Sequence, residues 1–406
     1  MDIAVIGAGA SGIFAALESA RKRSHHVVLI EKNSSIGRKI LVTGSGRCNI
    51  SNDKVRPQAY TSADEAWMLE LLSRFRVQEL KTLLGQLGIP LQKTEDGWYY
   101  PLSESAHALV EILHENLLAR RVDLRLTTRV TALRSLEEGQ AGFELTLDDG
   151  QSPYTERFDA VVVACGGTAY PTLGSDGNFF GHLQKLGHQV LPSLPALGPI
   201  YVHLGGFKAL QGLRFDARVC VLKGEELLGE SEGNLIVTEK GFNGPGVMNL
   251  SHLVSTHPHD SLTLNINLAS PVQAAFEEGL ATSMLSVRAF LLGFFPPKMV
   301  DAFLEMGELK PDLQVENLTL RQWERLVRLL SNQTFEVTGC GNAMVSQVSV
   351  GGVPVVEVNP NTLESQIIPG LYLVGETLDV IGPCGGYNLH FALASGAKAG
   401  WALAAH

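Results

Sequence analysis

The feature that most constrains this fold is a short glycine-rich turn near the amino terminus. An apolar run predicts a buried strand over 2–6, and GAGASG follows at positions 7–12 before a stretch with helical spacing. A second apolar strand then ends at Glu31. In such a unit the first glycine permits a tight turn, the second lets a pyrophosphate approach the backbone, and the third lets helix and strand pack closely. The sequence therefore predicts a Rossmann-type β-α-β unit, with Glu31 accepting hydrogen bonds from an adenosine ribose.

The length and composition are those of an ordinary globular protein with more than one domain. The chain has 406 residues, 45% hydrophobic and 18% charged, and chains of this length usually divide into two or three domains. The formal charge of −10 argues mildly against a partner bound mainly through phosphate contacts. No apolar stretch approaches the roughly 20 residues that cross a bilayer, and the first residues lack a secretory signal pattern. We expect a cytoplasmic protein without membrane association.

The cysteines and histidines do not indicate a metal site. Five cysteines make an odd number without a close C-x-x-C pair, which favours a reducing compartment. His257 and His259 form a His-x-His in a loop-like HPHD segment that has no obvious third ligand. We therefore expect no metal.

The choice between a nicotinamide and a flavin dinucleotide comes from the segment that follows Glu31. GRKILVTGSGRCNISN, over 37–52, is rich in backbone donors and carries positive charges at Arg38, Lys39 and Arg47. A plain dehydrogenase has no need of such a loop. It suits an extended ligand whose flavin ring lies beyond the pyrophosphate, although a solvated basic turn is the alternative.

Two later strand ends support the flavin interpretation. GLYLVGETLDV, over 370–380, ends a strand and leads into a helix from about Asn388, and VVVACGGTAYP, over 161–171, ends another strand. The amino-terminal N–H groups of that helix can face the flavin N1–C2 carbonyl, where negative charge grows on reduction. The sequence predicts non-covalently bound FAD.

The pattern of strands and helices changes in the middle of the chain. Paired strands are predicted over 122–133 and 142–147, and Ala160 to Ala164 predicts a strand buried on both faces. From Pro192, short strands alternate with glycine and proline. We expect an FAD-binding domain over 1–191 and 346–406, interrupted by a β-barrel-like insert over 192–270, a helical subdomain over 271–332 and a return strand over 333–345.

Taken together, these motifs resemble the BaiN-like family of NAD(P)/FAD-dependent oxidoreductases, which also contains the YhiN and YtfP proteins. The resemblance covers nearly the whole chain and rests on GRKILVTGSGRCNISN, GGTAYPTLGSDG, GFNGPG, GGV and GETLDVIGPCGGYN. It implies an α/β fold with a Rossmann-type FAD-binding domain of the two-dinucleotide-binding class, interrupted by a β-barrel plus helical insert. It also implies Val130 as a backbone contact of the adenine. The chain departs from the family at Cys165, where threonine is more frequent.

The expected cofactor contacts lie in eight short stretches of the chain. They are Gly7, Ala8, Gly9, Ala10, Ser11, Gly12, Glu31 and Lys32; Arg38, Lys39, Ser45, Gly46, Arg47, Cys48 and Asn49; Val130, Ala164, Cys165 and Gly166; Gly375 and Glu376; and Gly385, Gly386, Tyr387, Asn388 and Leu389. Weak candidates for a proton donor at the flavin are Cys48, Tyr387, His390 and Cys384. For each of them a packing or cofactor contact is the more common role.

The sequence contains no catalytic triad, metal set or acid-base pair, so the flavin must supply the redox chemistry. No second G-x-G-x-x-G follows in the insert, so reduced nicotinamide, NAD(P)H, would dock transiently. The resemblance implies reduction of activated C=C bonds, amine oxidation, or reduction of a uracil in ribosomal RNA to dihydrouridine. We expect NAD(P)H-linked reduction of an activated C=C bond by hydride from flavin N5, on a small enone or on ribosomal RNA.

An RNA substrate would need a basic path to the flavin. The candidates for this path are Lys208, Arg214, Arg218, Arg288, Lys298, Arg321, Arg325 and Arg328. Some of these recur at helical spacing, which a solvated helix face explains equally well. Two further functions stay open: a flavin amine oxidase that uses oxygen, and a non-catalytic flavin-holding assembly or RNA-binding module.

Overall fold

The structure, a computed structural model, describes residues 1–61, 64–136 and 141–406. They form two compact units, the first made of Met1–Leu194 and Gln347–His406 and the second of Pro195–Ser346. The chain therefore leaves the first unit once, builds the second, and returns. Among the described residues no helix is both long enough and apolar enough to cross a membrane.

The structure contains nineteen strands among the described residues, and the longest two, β13 and β14, lie in the second unit. They are β1 (Asp2–Ile6), β2 (His26–Ile30), β3 (Ser51–Asn52), β4 (Leu91–Lys93), β5 (Trp98–Pro101), β6 (Asp123–Arg125), β7 (Arg129–Ser135), β8 (Phe143–Asp148), β9 (Tyr154–Phe158), β10 (Ala160–Val163), β11 (Leu191–Ala196), β12 (Ile200–Val202), β13 (Arg214–Lys223), β14 (Glu226–Val237), β15 (Gly241–Asn243), β16 (Leu262–Asn267), β17 (Gln333–Cys340), β18 (Val348–Gly352) and β19 (Leu371–Leu373).

The helices range from a single turn to five turns. They are α1 (Ala10–Ser19), α2 (Arg38–Leu41), α3 (Glu65–Ser73), α4 (Val77–Gln86), α5 (Ala106–Ala119), α6 (Phe180–Lys185), α7 (Pro245–Met248), α8 (Ser251–Thr256), α9 (Gln273–Thr282), α10 (Val287–Leu291), α11 (Pro297–Gly307), α12 (Leu320–Ser331) and α13 (Tyr387–Ala405).

A parallel sheet with the strand order β19-β10-β1-β2-β6 forms the centre of the first unit. Ile6, the last residue of β1, is paired with Val163 on one side and with Ile30 on the other, so three strands end at the same edge. All four residues of β10 are buried, as expected for a strand covered on both faces. The predicted Rossmann-type fold is confirmed.

One strand assignment from the sequence was wrong. The predicted strand over 122–133 is divided between two strands: β6 pairs with β2 in the parallel sheet, whereas β7 pairs with β8 in a separate antiparallel sheet. Between them Thr127 has a φ angle of +55°, which turns the chain out of the extended conformation. Val122, Leu124, Leu126 and Val130 keep the period-two spacing of a single strand across this turn, and the polar residues 127–129 are the only local sign of a break.

Helices α1 and α13 pack with almost no side chain between their backbones. A Cβ built at Gly396 would lie 2.1 Å from the carbonyl oxygen of Ser11, and one built at Gly400 would lie 2.8 Å from that of Ala15. Because Gly396 meets the start of α1 and Gly400 meets its middle, the two helices run in the same direction. Glycine is required at these two positions because any side chain would separate the helices.

The second unit is a closed barrel with associated helices. The six barrel strands follow the order β12-β15-β14-β13-β16-β17. Its core contains an aromatic cluster in which the ring of Phe335 lies 5.1 Å from both Phe207 and Phe242, measured between centroids. Phe303 of α11 packs against Phe207 at 6.1 Å, which joins the helices to the barrel. The predicted β-barrel insert is confirmed.

Substitution of Gly396 by alanine tests the helix contact. We expect Gly396→Ala to lower the free energy of unfolding by about 1–3 kcal/mol, because the new methyl group overlaps the Ser11 carbonyl. The matched control is Gly181→Ala in α6, where a Cβ meets nothing within 4 Å. That variant should be neutral or more stable by about 0.4–1 kcal/mol. Equal destabilisation of both variants in urea would contradict the packing argument.

Candidate functional site

The glycine turn between β1 and α1 has the geometry that close approach of a ligand requires. Gly7 has a φ angle of +101°, and a Cβ built at Gly12 would lie 1.8 Å from the Gly7 carbonyl oxygen. A Cβ built at Gly9, in contrast, meets nothing within 4 Å. Two of the glycines are therefore demanded by the protein itself. The fold does not require glycine at position 9, and the open side of Gly9 lies at the start of α1, which has no side-chain cap.

Glu31 connects the glycine turn to the end of the second strand. It is 9% exposed. One carboxylate oxygen accepts from the backbone N–H of Ala8 at 2.8 Å, and the other accepts from the backbone and side chain of Asn33 at 2.8 and 2.7 Å. A carboxylate has about four acceptor positions, so ribose hydroxyls can still bind to it. Glu31 thus fixes the turn as well as offering the predicted ribose contact.

Basic residues beside Glu31 are held by hydrogen bonds within the protein. Arg38 donates to the side-chain oxygen of Asn33 at 2.5 Å. The Lys32 ammonium lies 2.6 Å from the Asp176 carboxylate. Lys32 and Arg38, which are predicted cofactor contacts, therefore lie beside Glu31 at the carboxyl end of β2.

The turn after β10 crosses directly over the glycine turn. The backbone N–H of Ala164 donates to the Ile6 carbonyl at 2.9 Å, and a Cβ built at Gly7 would lie 2.5 Å from the Ala164 carbonyl oxygen. Burial raises the pKa of the Cys165 thiol, which keeps it neutral. Gly166 has a φ angle of +72°. The predicted contacts at Ala164, Cys165 and Gly166 are thus brought next to the amino terminus of α1.

Glu376 is the centre of a network that joins α2, β18 and the loop after β10. Its Oε1 accepts from the backbone N–H and the hydroxyl of Ser349, both at 2.7 Å, and its Oε2 lies 2.6 Å from the ammonium of Lys39. The Ser349 hydroxyl in turn accepts from the backbone N–H of Thr168 at 3.0 Å. The preceding residue, Gly375, donates its N–H to Ser395 of α13 at 2.9 Å. Glu376 therefore positions the surrounding loops as well as lying in the expected cofactor stretch.

The loop that follows α2 contains a run of left-handed residues. Ser45, Gly46 and Cys48 have φ angles of 56°, 84° and 62°. Non-glycine residues rarely adopt this region and remain there only when surrounding structure enforces it. Arg47 lies over the ring of Tyr100, with its guanidinium carbon 4.7 Å from the centroid. The side chain of Arg47 is thus directed to Tyr100.

The amino terminus of α13 packs onto the end of that loop. A Cβ built at Gly386 would lie 2.7 Å from both the Asn49 side-chain oxygen and the Ser51 backbone nitrogen. Asn388 closes the preceding turn, since it accepts from the Gly382 N–H at 2.8 Å and donates to the Gly382 carbonyl at 2.7 Å. The predicted contacts Asn49, Gly386 and Asn388 therefore lie together, and Gly385, Tyr387 and Leu389 adjoin them in the chain.

Two observations fit a dinucleotide that carries a ring system. The Asn49 side-chain oxygen is buried and has no hydrogen-bond partner among the described residues, so it suits a ligand with an N–H donor, as a flavin ring has. The amino termini of α1 and α13 both lack side-chain caps. Because the helices are parallel and Gly396 meets Ser11, Tyr387 begins α13 about 12 Å beyond the start of α1, at 1.5 Å per residue. One long ligand with a pyrophosphate and a distant ring can meet both helix termini.

The four candidate proton donors have different environments. Both ring nitrogens of His390 are engaged, by the Ser51 hydroxyl at 2.8 Å and the Phe75 carbonyl at 3.0 Å, and burial lowers the pKa of His390 to about 4. Cys48 is fully buried, which raises the pKa of its thiol to about 11. Burial also raises the pKa of Cys384 to about 12 and raises that of Tyr387. All four are therefore uncharged at neutral pH.

Sequence reasoning missed several residues that organise the site. Asn33, Asp176 and Ser349 hold the predicted contacts Glu31, Lys32 and Glu376. Ser349 lies just before the GGV segment, but nothing local to the sequence indicates that its hydroxyl meets Glu376. These contacts depend on which loops the sheet brings together. In the sequence, the only indication of the three residues is that they lie near the family motifs.

A family comparison agrees with this geometry. The family model described as the HI0933-like protein Rossmann domain matches residues 1–402. The chain belongs to this family.

Curated relatives extend over the same length. A 3-dehydro-bile acid delta(4,6)-reductase of Clostridium scindens is 34% identical over 411 residues, which cover 99% of this chain and 98% of the relative. A ribosomal RNA dihydrouridine synthase of Escherichia coli is 30% identical over 404 residues, covering 99% and 97%. A protein with the same name from Haemophilus influenzae is 27% identical over 395 residues, covering 96% and 95%.

Solved structures support the fold. The 3-ketosteroid-delta4-(5alpha)-dehydrogenase of Rhodococcus jostii RHA1 aligns with a TM-score of 0.53 at 17% identity, over 99% of this chain and 96% of that chain. The 3-ketosteroid delta1-dehydrogenase of Sterolibacterium denitrificans also aligns with a TM-score of 0.53, at 12% identity, over 100% and 99%. The recognition made from the sequence motifs is confirmed, and this chain is an FAD-dependent oxidoreductase.

Two glycine substitutions separate folding from cofactor binding. We expect Gly9→Val to leave the unfolding temperature of the flavin-free protein unchanged and to weaken FAD binding at least about tenfold, because only the ligand needs that space. Gly12→Val should instead destabilise the flavin-free protein, since its side chain meets the Gly7 carbonyl. Thermal unfolding with and without FAD measures both effects. Loss of stability in the Gly9 variant without FAD would contradict this assignment.

The acid stability of the protein tests the environment of His390. The unfolded side chain takes up a proton near pH 6.5, but the folded one does so only near pH 4. Between these values the unfolded state binds more protons, so the free energy of unfolding must fall as the pH is lowered through this window. His390→Gln should lose this part of the pH dependence, measured as the difference between the two urea unfolding curves. An unchanged slope would show that His390 does not titrate as assigned.

Proposed function

We propose that this protein catalyses the NAD(P)H-linked reduction of a C=C bond conjugated to a carbonyl group. The observation that carries this proposal is a shared reaction among full-length relatives. A bile acid Δ4,6-reductase and a dihydrouridine synthase have different substrates, yet each name describes addition of hydrogen to a C=C bond next to a carbonyl. We extend to this chain the type of reaction that these relatives share.

The site is suited to this chemistry through the two helix termini. Bound FAD would supply hydride at N5 to the β-carbon of the substrate. The residues proposed to hold it are the glycine turn with Glu31, the loop over 37–49 and the start of α13. The uncapped N–H groups of α13 stabilise negative charge on a bound ring, because a helix amino terminus carries about half a positive charge. We further propose a transiently docked nicotinamide as reductant and a cytoplasmic location.

A small conjugated enone is the substrate class that we favour. The chain has a formal charge of −10. Of the eight cations that could form a basic path for RNA, three are paired with carboxylates: Arg218 with Glu230, Arg288 with Asp301 at 3.0 Å, and Arg325 with Glu308 at 2.8 Å. Paired cations contribute less to phosphate binding than free ones.

Ribosomal RNA is the second candidate substrate. It is favoured by two relatives named as ribosomal RNA dihydrouridine synthases, of which one is 30% identical over nearly the whole chain. Uracil contains a C=C bond conjugated to a carbonyl, so the proposed hydride transfer serves it equally well.

The half-reactions distinguish these possibilities. We expect NADH or NADPH to bleach the bound flavin without oxygen, and a 4-en-3-one steroid to restore its absorbance with formation of the saturated ketone. Restoration by ribosomal RNA that lacks dihydrouridine, with dihydrouridine formed, would establish the RNA substrate instead. A flavin that nicotinamide cannot bleach, but that an amine reduces and oxygen rapidly reoxidises, would overturn the proposal in favour of an oxidase.

A further inference from the structure

The two glycines that precede α13 have close polar neighbours on the ribbon formed by β3 and β5. A Cβ built at Gly385 would lie 3.3 Å from the indole nitrogen of Trp98 and 3.4 Å from the side-chain nitrogen of Asn52. A Cβ built at Gly386 would lie 2.7 Å from the side-chain oxygen of Asn49. The chain that leads into β3 therefore passes the two glycines in the opposite direction, with polar side-chain atoms against the start of α13.

Strand pairing brings the two nitrogens to the same point. Asn52 of β3 is paired with Trp98 of β5 in an antiparallel register. Directly opposed residues carry their side chains on the same face of such a ribbon, with Cβ atoms about 4.5–5.5 Å apart. Both side chains therefore reach the same side, where glycine at position 385 leaves room for them. The pairing of β3 with β5 thus fixes two neighbouring hydrogen-bond donors.

The hydrogen-bonding groups of this cluster are unused within the protein. The residue Asn49 is 9% exposed, and its side-chain oxygen is buried without a partner among the described residues. Within the same part of the chain, the side-chain nitrogens of Trp98 and Asn52 donate to no acceptor, and neither is among the fully buried atoms. Buried polar groups are nearly always paired in native proteins. The cluster therefore offers one acceptor and two donors to a ligand.

The first turn of α13 adds backbone donors beside this cluster. The first bond of the helix runs from the His390 N–H to the Gly386 carbonyl at 2.9 Å. The N–H groups of Tyr387, Asn388 and Leu389 therefore have no acceptor within the helix. No side chain caps them. In chain order, the start of α13 lies against two side-chain donors, then one acceptor, and then presents its own donors.

This order matches one edge of the flavin ring. The pyrimidine part of a flavin is a cyclic imide, in which the N3–H lies between the C4 and C2 carbonyl groups. We propose that Trp98 and Asn52 bind the C4 carbonyl oxygen of FAD and that Asn49 accepts from its N3–H. The C2 carbonyl then belongs to the N–H groups at the start of α13. These contacts concern the cofactor alone and do not depend on the substrate.

The proposed contacts favour the reduced cofactor. Reduction adds negative charge to the flavin ring, and hydrogen-bond donors and a helix amino terminus stabilise such charge. The donors of Trp98 and Asn52 at the C4 carbonyl act in the same direction as those of α13 at the C2 carbonyl. Loss of the indole donor should therefore weaken the binding of reduced FAD more than that of oxidised FAD.

Trp98→Phe removes the indole N–H and keeps an aromatic ring. We expect this variant to bind oxidised FAD about 3–10-fold more weakly than the wild type, the ratio expected for loss of one neutral hydrogen bond. In the Raman spectrum of the holoenzyme, the C4 carbonyl band of the flavin should move to higher frequency, because the carbonyl loses a donor. Trp323→Phe is the matched control, since it makes the same change in α12 of the second unit and should alter neither quantity.

A modified cofactor tests Asn49 in the unaltered protein. Because 3-methyl-FAD lacks the N3–H, we expect the wild type to bind it at least about tenfold more weakly than FAD. Asn49→Ala removes the acceptor and leaves room for the methyl group, so this variant should bind the two cofactors within about threefold of each other.

Two results would overturn the proposal. One is equal binding of FAD and 3-methyl-FAD by the wild type. The other is a Trp98→Phe variant in which the affinity for FAD and the frequency of the C4 carbonyl band are both unchanged. Neither measurement involves a substrate, so the half-reactions described above test the proposed function separately.

Discussion

The structure depends on the close contact between the backbones of α1 and α13. Helix α1 lies between the parallel sheet and α13, and nine of its ten residues are buried. Gly396 and Gly400 remove the side chains that would otherwise separate the two helices. Because the helices are parallel, their positive ends face the same way, and the longer helix reaches further. A single packing contact therefore sets the distance between two anion-stabilising positions, one at each end of a long cofactor.

The loops that surround these helix termini are held mainly by carboxylates whose partners are other loops. Glu31 binds the glycine turn to the end of β2, and Glu376 joins Ser349 of β18 to Lys39 of α2. Buried carboxylates are stable only when paired or hydrogen-bonded. The residues that resemble cofactor ligands in the sequence are thus also the residues that assemble the site. Loss of either carboxylate would disturb loop positions as well as cofactor contacts.

The family match identifies the class of enzyme, but it does not identify the substrate. The family match and the fold establish a flavin-dependent oxidoreductase. The relatives share one type of bond reduction but differ in the molecule that is reduced. An enone and a uracil need hydride and a proton at the same positions relative to the carbonyl, so one type of flavin chemistry serves both. The choice of substrate must then depend on parts of the protein other than the flavin site.

The sequence by itself determined the Rossmann unit, the barrel insert and the identity of the cofactor. Each depends on short-range patterns: GAGASG must form a tight turn, and a fully apolar run such as Ala160 to Val163 must be buried on both faces. The sequence did not reveal that the segment over 122–133 divides between two sheets, because its period-two spacing of apolar residues continues across the turn at Thr127. Only the tertiary structure brought Ser349 to Glu376, Asn49 to Gly386 and Gly351 to Asp379. These contacts join residues that are separated along the chain, and their positions are set by strand order and helix packing rather than by any local pattern.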